Sequence, residues 1–134
     1  MEARGIHHVG LAVADLDEAV QTYERLFAGR LEHRARVEGQ GVEAASIRVG
    51  DSRVELLAPL GDDTPVGKFI AKRGPGLHHL AYEVDDVASA LAELTEQGAE
   101  LIDAAPREGL FGLQVAFVHP DSVHGVLSEV VSRG

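Results

Sequence analysis

A twelve-residue phrase occurs twice in this chain. Residues 5–16 read GIHHVGLAVADL and residues 76–87 read GLHHLAYEVDDV, aligned without gaps at an offset of 71. A weaker echo pairs VELL at 54–57 with SEVV at 128–131, which sets Glu55 against Glu129. A duplicated unit that cannot cover its own apolar face must bury it against neighbouring structure, so the repeat restricts the chain to two modules of like topology. Such halves bring His8, Glu55, His79 and Glu129 together as one two-fold-related set. Two imidazoles and two carboxylates make a divalent-metal site, which would leave two adjacent positions of an octahedral ion for water or a chelating ligand.

Composition narrows the chemistry. At 134 residues the chain fits one domain, and its 45% apolar and 25% charged residues are the balance of a globular protein with a real core. With no Cys, thiolate ligands, thiol nucleophiles and disulfides are excluded. Imidazole and oxygen ligands suit Co, Mn, Ni, Fe or Zn. Acidic residues outnumber basic ones 22 to 12, a net charge of −10, which argues against nucleic acid as a partner. No apolar run reaches membrane-span length and MEARGIHH lacks a hydrophobic signal segment, so the expectation is a cytoplasmic protein without a membrane partner.

The residue pattern predicts the elements of each module. IHHVGLAVA alternates like a strand, and Asp15 followed by Glu18 has the spacing of a capping box. Leu16, Ala19, Val20, Tyr23 and Phe27 then share one helical face, with Gly29 as the C-terminal stop. Residues 31–37, 43–49 and 53–58 read as three strands, completing βαβββ. The second half repeats the unit: strand 77–84, a helix capped by Asp85/Asp86 and ending at Gly98, and strands near 99–103, 113–119 and 125–131. Thr64, Pro65 and Gly74 mark a short joining helix. The expectation is a single domain over 1–134, with modules at about 5–60 and 76–132 joined by a helix at about 64–74.

Strand alternation assigns faces. His7, Val9, Leu11 and Val13 point under the helix, and Ile6, His8, Gly10 and Ala12 point the other way, as small residues lining a cavity do. In the second module His78, Leu80, Tyr82 and Val84 face the helix, and Leu77, His79, Ala81 and Glu83 face the cavity. His7 and His78 therefore read as partly buried, hydrogen-bonded histidines rather than ligands. The plain alternative for each remaining His is a turn or strand-end residue, and it is preferred for His33, His119 and His124, which have no repeat partner.

On these residues the chain resembles the vicinal oxygen chelate, or glyoxalase-like, superfamily. Three segments resemble its methylmalonyl-CoA epimerase family: HHVGLAVADLDEAVQTYERLFAG at 7–29, VELLAPLGDDTPVGKFIAKRGPGLHHLAYEVDDV at 54–87 and FVHPDSVHGVLSEV at 117–130. The resemblance implies an α+β fold, two tandem βαβββ modules forming a curved mixed sheet with helices on the outer face. It also implies a divalent metal ion held by His8, Glu55, His79 and Glu129, the same four residues that the repeat singles out. The implied activity is epimerisation of methylmalonyl-CoA by deprotonation and reprotonation at C2 through a metal-stabilised enolate, with Glu129 as ligand and proton acceptor. A lactoylglutathione lyase-type isomerase and a non-catalytic small-molecule-binding member of the superfamily are the alternatives.

Two departures from the family pattern bear on the site. Some epimerases carry an acid–base Glu three residues after the Gly that matches Gly41; here Ala44 stands in that place and Glu43 precedes it. Glu43 is the candidate second catalytic residue, although a one-residue shift turns it to the opposite face unless a bulge re-aims it. GLFGLQVAF at 109–117 replaces a smaller loop, so Leu110, Phe111 and Leu113 are expected to reshape the pocket mouth. Lys68, Lys72, Arg73 and Arg107 are the basic residues nearest to hand for the phosphates of an acyl-CoA substrate. Open sheet edges predict a homodimer.

Overall fold

Each module forms its elements in the expected order. The computed structural model describes residues 1–133. The first module contains β1 (Gly5–Ala12), α1 (Leu16–Phe27), β2 (Arg30–Val37), β3 (Val42–Val49) and β4 (Ser52–Pro59), and α2 (Pro65–Arg73) follows. The second contains β5 (Gly76–Glu83), α3 (Val87–Glu96), β6 (Arg107–Glu108), β7 (Gln114–Val118) and β8 (Ser128–Ser132). By contact the chain divides into two units, Val9–His78 and Met1–His8 with the residues from His79 onward, so the division falls inside β1 and inside β5.

In the Val9–His78 unit the strands run β2-β3-β4-β1, with β1 parallel to β4 and the other pairs antiparallel. The other unit has β5-β8-β7-β6, again with first and last strands parallel and the rest antiparallel. Counted within each module, the order is the same, as the sequence repeat requires.

One helix seals one sheet face in each unit. Leu16 and Val20 of α1 bury against Ala45, Ile47, Leu56 and Ala58, joined by Leu11 and Val13 of the helix-facing row. Val87, Ala90 and Leu91 of α3 bury against Val84, Ala116 and Val130. Each fully buried aliphatic side chain here contributes roughly 1.5–3 kcal/mol of transfer free energy. Both helices start as their sequences predict, with Asp15 accepting from the Glu18 amide and Asp86 from the Ser89 amide, each at 3.0 Å. Thr64 caps α2 through the Gly67 amide. Among the described residues no helix is long and apolar enough to cross a membrane.

Three local expectations are corrected. The left-handed residue after α1 is Ala28 (φ 52°), not Gly29; Gly29 is needed because a Cβ there would lie 2.6 Å from Ile47 Cγ2. Residues 99–103 do not form a strand. Leu101 makes one bridge to Val118, then the Asp103 carboxylate takes the Phe117 amide at 2.8 Å in place of a ladder partner, and β6 forms only at Arg107. The last strand begins at Ser128 rather than 125, since His124 (φ 63°) and Gly125 (φ 95°) are turn residues.

Candidate metal centre

The fourth residue of β1 and the fourth of β5 are the imidazoles of the repeated phrase. Glu129, the second residue of β8, lies beside Ala81 of β5 and opposite Phe117 of β7. These registers gather His8, His79 and Glu129 so that one ligand-capable atom of each lies within 4.8 Å of the others. His8 Nε2 is 3.0 Å from His79 Nε2 and 3.5 Å from Glu129 Oε1. All three side chains are buried, at 4%, 2% and 6% exposure.

That geometry suits a shared divalent cation. Two ligands bound at about 2.1 Å and at right angles sit about 3.0 Å apart, close to the imidazole separation found here. Two neutral nitrogens and a carboxylate form a donor set of borderline character, and water is largely excluded by the burial. The residues present therefore fit a divalent ion.

The surroundings hold the ligands in place. His8 presents its other ring nitrogen to His7, Nδ1 to Nδ1 at 2.8 Å, with the rings nearly perpendicular. When the Nε2 lone pair of His8 is directed to a cation, Nδ1 carries the proton and donates it to His7, which fixes the tautomer and the ring. His79 packs edge-to-face against Phe117, whose ring is covered in turn by Arg107 at 5.4 Å. Beyond the ligands, Ala81, Val115 and Val131 continue the same face as an apolar floor, with Leu113 against it.

The fourth expected ligand, Glu55, belongs to the other unit. It lies on β4 between Ser46 of β3 and Gly10 of β1, 6% exposed, and burial pushes its carboxyl up to about 7. His78 is half-buried with its ring against Phe69 at 4.9 Å, and burial lowers its pKa. His119 caps the turn before β8 by accepting from the Asp121 amide, His124 supplies a left-handed turn residue, and His33 lies across from Ser46.

Glu43 does not share the face of Glu55. It is the cross-strand partner of Ala58, which packs under α1, whereas Glu55 is the partner of Ser46 on the opposite side. Its carboxylate accepts from Arg34 Nε at 3.1 Å, and Arg34 also pairs with Asp17 of α1. No bulge intervenes in β3, so parity holds Glu43 on the α1 side, which argues against the catalytic role expected of it.

The contribution of His7 to His8 and that of Phe117 to His79 were missed in the sequence. Strand alternation sends His7 to the opposite face, yet its ring reaches its neighbour around the strand. The wall formed by Phe117 could have been found by pairing β7 with β8, since it stands directly across from Glu129.

Comparison with known proteins agrees with this architecture. The family model for the glyoxalase/bleomycin resistance protein/dioxygenase superfamily matches residues 7–117. An ethylmalonyl-CoA/methylmalonyl-CoA epimerase of Cereibacter sphaeroides is 33% identical over 93% of this chain and 95% of that protein. The crystal structure of methylmalonyl-CoA epimerase from Mycobacterium tuberculosis superposes with a TM-score of 0.93 at 35% identity, over 98% of this chain and 89% of that one. A methylmalonyl-CoA epimerase solved in complex with methylmalonyl-CoA and NH4+ gives the same TM-score and identity, over 98% and 95%. The chain belongs to the glyoxalase/bleomycin resistance protein/dioxygenase superfamily and, within it, to the methylmalonyl-CoA epimerase family.

Proposed function

We propose that this protein is a metal-dependent epimerase that interconverts the stereoisomers of methylmalonyl-CoA. The observation that carries the reading is the buried meeting of His8, His79 and Glu129 in a chain alike over nearly its full length to methylmalonyl-CoA epimerases. His8, Glu55, His79 and Glu129 would hold the ion, with the whole chain acting as one domain of two modules joined by α2. The ion would supply Lewis acidity where negative charge develops on the thioester oxygen, lowering the cost of removing the C2 proton.

The protein's own groups do the rest. His7 keeps His8 in the tautomer that exposes Nε2. Phe117 fixes the ring of His79 and, with the apolar floor of Ala81, Val115 and Val131, excludes water around the acidic carbon. Glu129 would help to hold the ion and is the group placed to accept the C2 proton. With Glu43 turned away, the group returning a proton from the opposite side is Glu55 or a water beside it.

We further take the enzyme to work in the cytoplasm as a homodimer without a nucleic-acid or membrane partner. Self-association is supported by Ile6 and Leu77, which occupy equivalent places in the repeat and are 51% and 52% exposed. The test of the reaction is hydrogen exchange. Metal-loaded protein in D2O should place deuterium at C2 of methylmalonyl-CoA by NMR, and an unlabelled substrate after prolonged incubation would sink the reading. Turnover of the methylglyoxal–glutathione adduct instead would favour the lyase alternative.

A further inference from the structure

Three arginines stand side by side on neighbouring strands of the Val9–His78 unit. Arg30 of β2 is the direct cross-strand partner of Arg48 of β3, and Arg48 is the partner of Arg53 of β4. Directly opposed residues share a sheet face, and like charges there repel, so the row destabilises the sheet unless an anion lies over it. In a chain of net charge −10 such a row is not a by-product of a basic surface.

The face is the one that carries Glu55. The next row along it is His33, Ser46 and Glu55. On β3 and β4 exposure rises along the strands, from buried Ser46 and Glu55 to half-buried Arg48 and Arg53, while on the edge strand β2 both His33 and Arg30 are exposed. The arginines thus form a rim at the solvent end of the face. Arg48 donates its Nε to the Gly50 carbonyl at 2.9 Å, and Arg53 donates its Nε to Glu32 at 3.2 Å. Those bonds orient two guanidinium planes, and a guanidinium held through Nε can offer its η N–H groups as a fork to phosphate oxygens. Glu32 offsets one charge, and Asp51 sits in the exposed turn between β3 and β4, so the row keeps an excess of positive charge. By contrast, Lys72 and Arg73 occupy the last turn of α2, where they complement the helix dipole, and Arg73 lies over the Phe69 ring.

We infer that Arg30, Arg48 and Arg53 bind the phosphate groups of the acyl-CoA substrate at the rim of the face that carries Glu55. The inference rests on the acyl-CoA reading above and adds to it the place where the nucleotide end is held.

The test compares methylmalonyl-CoA with methylmalonyl-pantetheine, which lacks the nucleotide phosphates. Arg48→Gln and Arg53→Gln should each lower the ratio of kcat/KM for the CoA ester to that for the pantetheine ester about ten-fold, the loss of a charge-assisted hydrogen bond. In the unaltered protein, raising the salt should raise KM for the CoA ester and not for the pantetheine ester, a readout independent of any folding defect. An unchanged ratio together with salt-insensitive KM would overturn the inference. Calorimetry with adenosine 3′,5′-bisphosphate separates this from the reaction itself. Binding that is lost in the double variant supports the arginine row even if neither ester turns over, an outcome that removes only the epimerase reading. Absence of bisphosphate binding to the unaltered protein overturns the row whatever the turnover.

Discussion

The Nδ1 atoms of His7 and His8 lie 2.8 Å apart, so the first imidazole of the repeated phrase touches the second and leaves the Nε2 of His8 for Glu129 and His79. Outer partners of metal-bound histidines typically change affinity about 10- to 100-fold when removed. His7→Ala should therefore weaken divalent-metal binding by about that factor in a chelator-competition titration. His7→Asn, which can still accept from His8 Nδ1, should recover most of it. Equal affinity in all three proteins would show that His7 does not hold its neighbour.

The three converging ligands predict a sharper loss. His8→Ala, His79→Ala and Glu129→Gln should each release metal on dialysis, measured by elemental analysis, and lower C2 hydrogen exchange by at least about 10²-fold, the scale of general acid–base and electrostatic contributions. Retained metal in all three variants would contradict the ligand assignment.

How much of this was legible beforehand depends on the kind of signal. The duplicated phrase marks His8 and His79, and strand parity puts them opposite the helix-facing rows, because period-2 alternation is local to an unbulged strand. Parity also turns Glu43 away from the face of Glu55, and β3 runs without a bulge to rescue it. Helix starts at Asp15, Thr64 and Asp86 were readable because capping is a local hydrogen bond. The failures are non-local. Asp103 bonds the amide of Phe117, fourteen residues away, where a strand is expected, and no short sequence window contains that bond. Gly29 looks like a helix stop in the sequence, but its constraint is the Ile47 side chain on another strand.

Burial of Glu55 gives a pH signature in the metal-free protein. Its carboxyl is raised from 4.5 to about 7 by desolvation alone, so the folded state favours the neutral acid. Stability from this group is fully present below the unfolded value and is lost as pH rises through about 7, by an amount of order 3 kcal/mol. His78 shifts downward and works in the opposite sense, losing stability as pH falls below its ordinary value. The difference between the unaltered protein and Glu55→Gln isolates the first effect. In denaturant titrations that difference should fall steadily from pH 4.5 to above 7 and then level off. A flat difference would mean that Glu55 is solvated in solution.

Gly67 offers a test of packing against propensity. It sits within α2, where Ala is favoured over Gly by about 1 kcal/mol on helix propensity alone. A Cβ at this position, however, would lie 2.3 Å from the Gly61 carbonyl oxygen and 3.0 Å from the Asp62 backbone. Those atoms are main chain and cannot swing aside as a side-chain tip can. Overpacking of this kind typically costs about 1–3 kcal/mol, which exceeds the propensity gain over most of its range. Gly67→Ala should accordingly lower the melting temperature, whereas Ala71→Gly in the same helix should lower it through propensity alone. A stabilised Gly67→Ala protein would show that the loop at 61–62 yields readily, and that α2 is held less closely against it than the backbone contacts indicate.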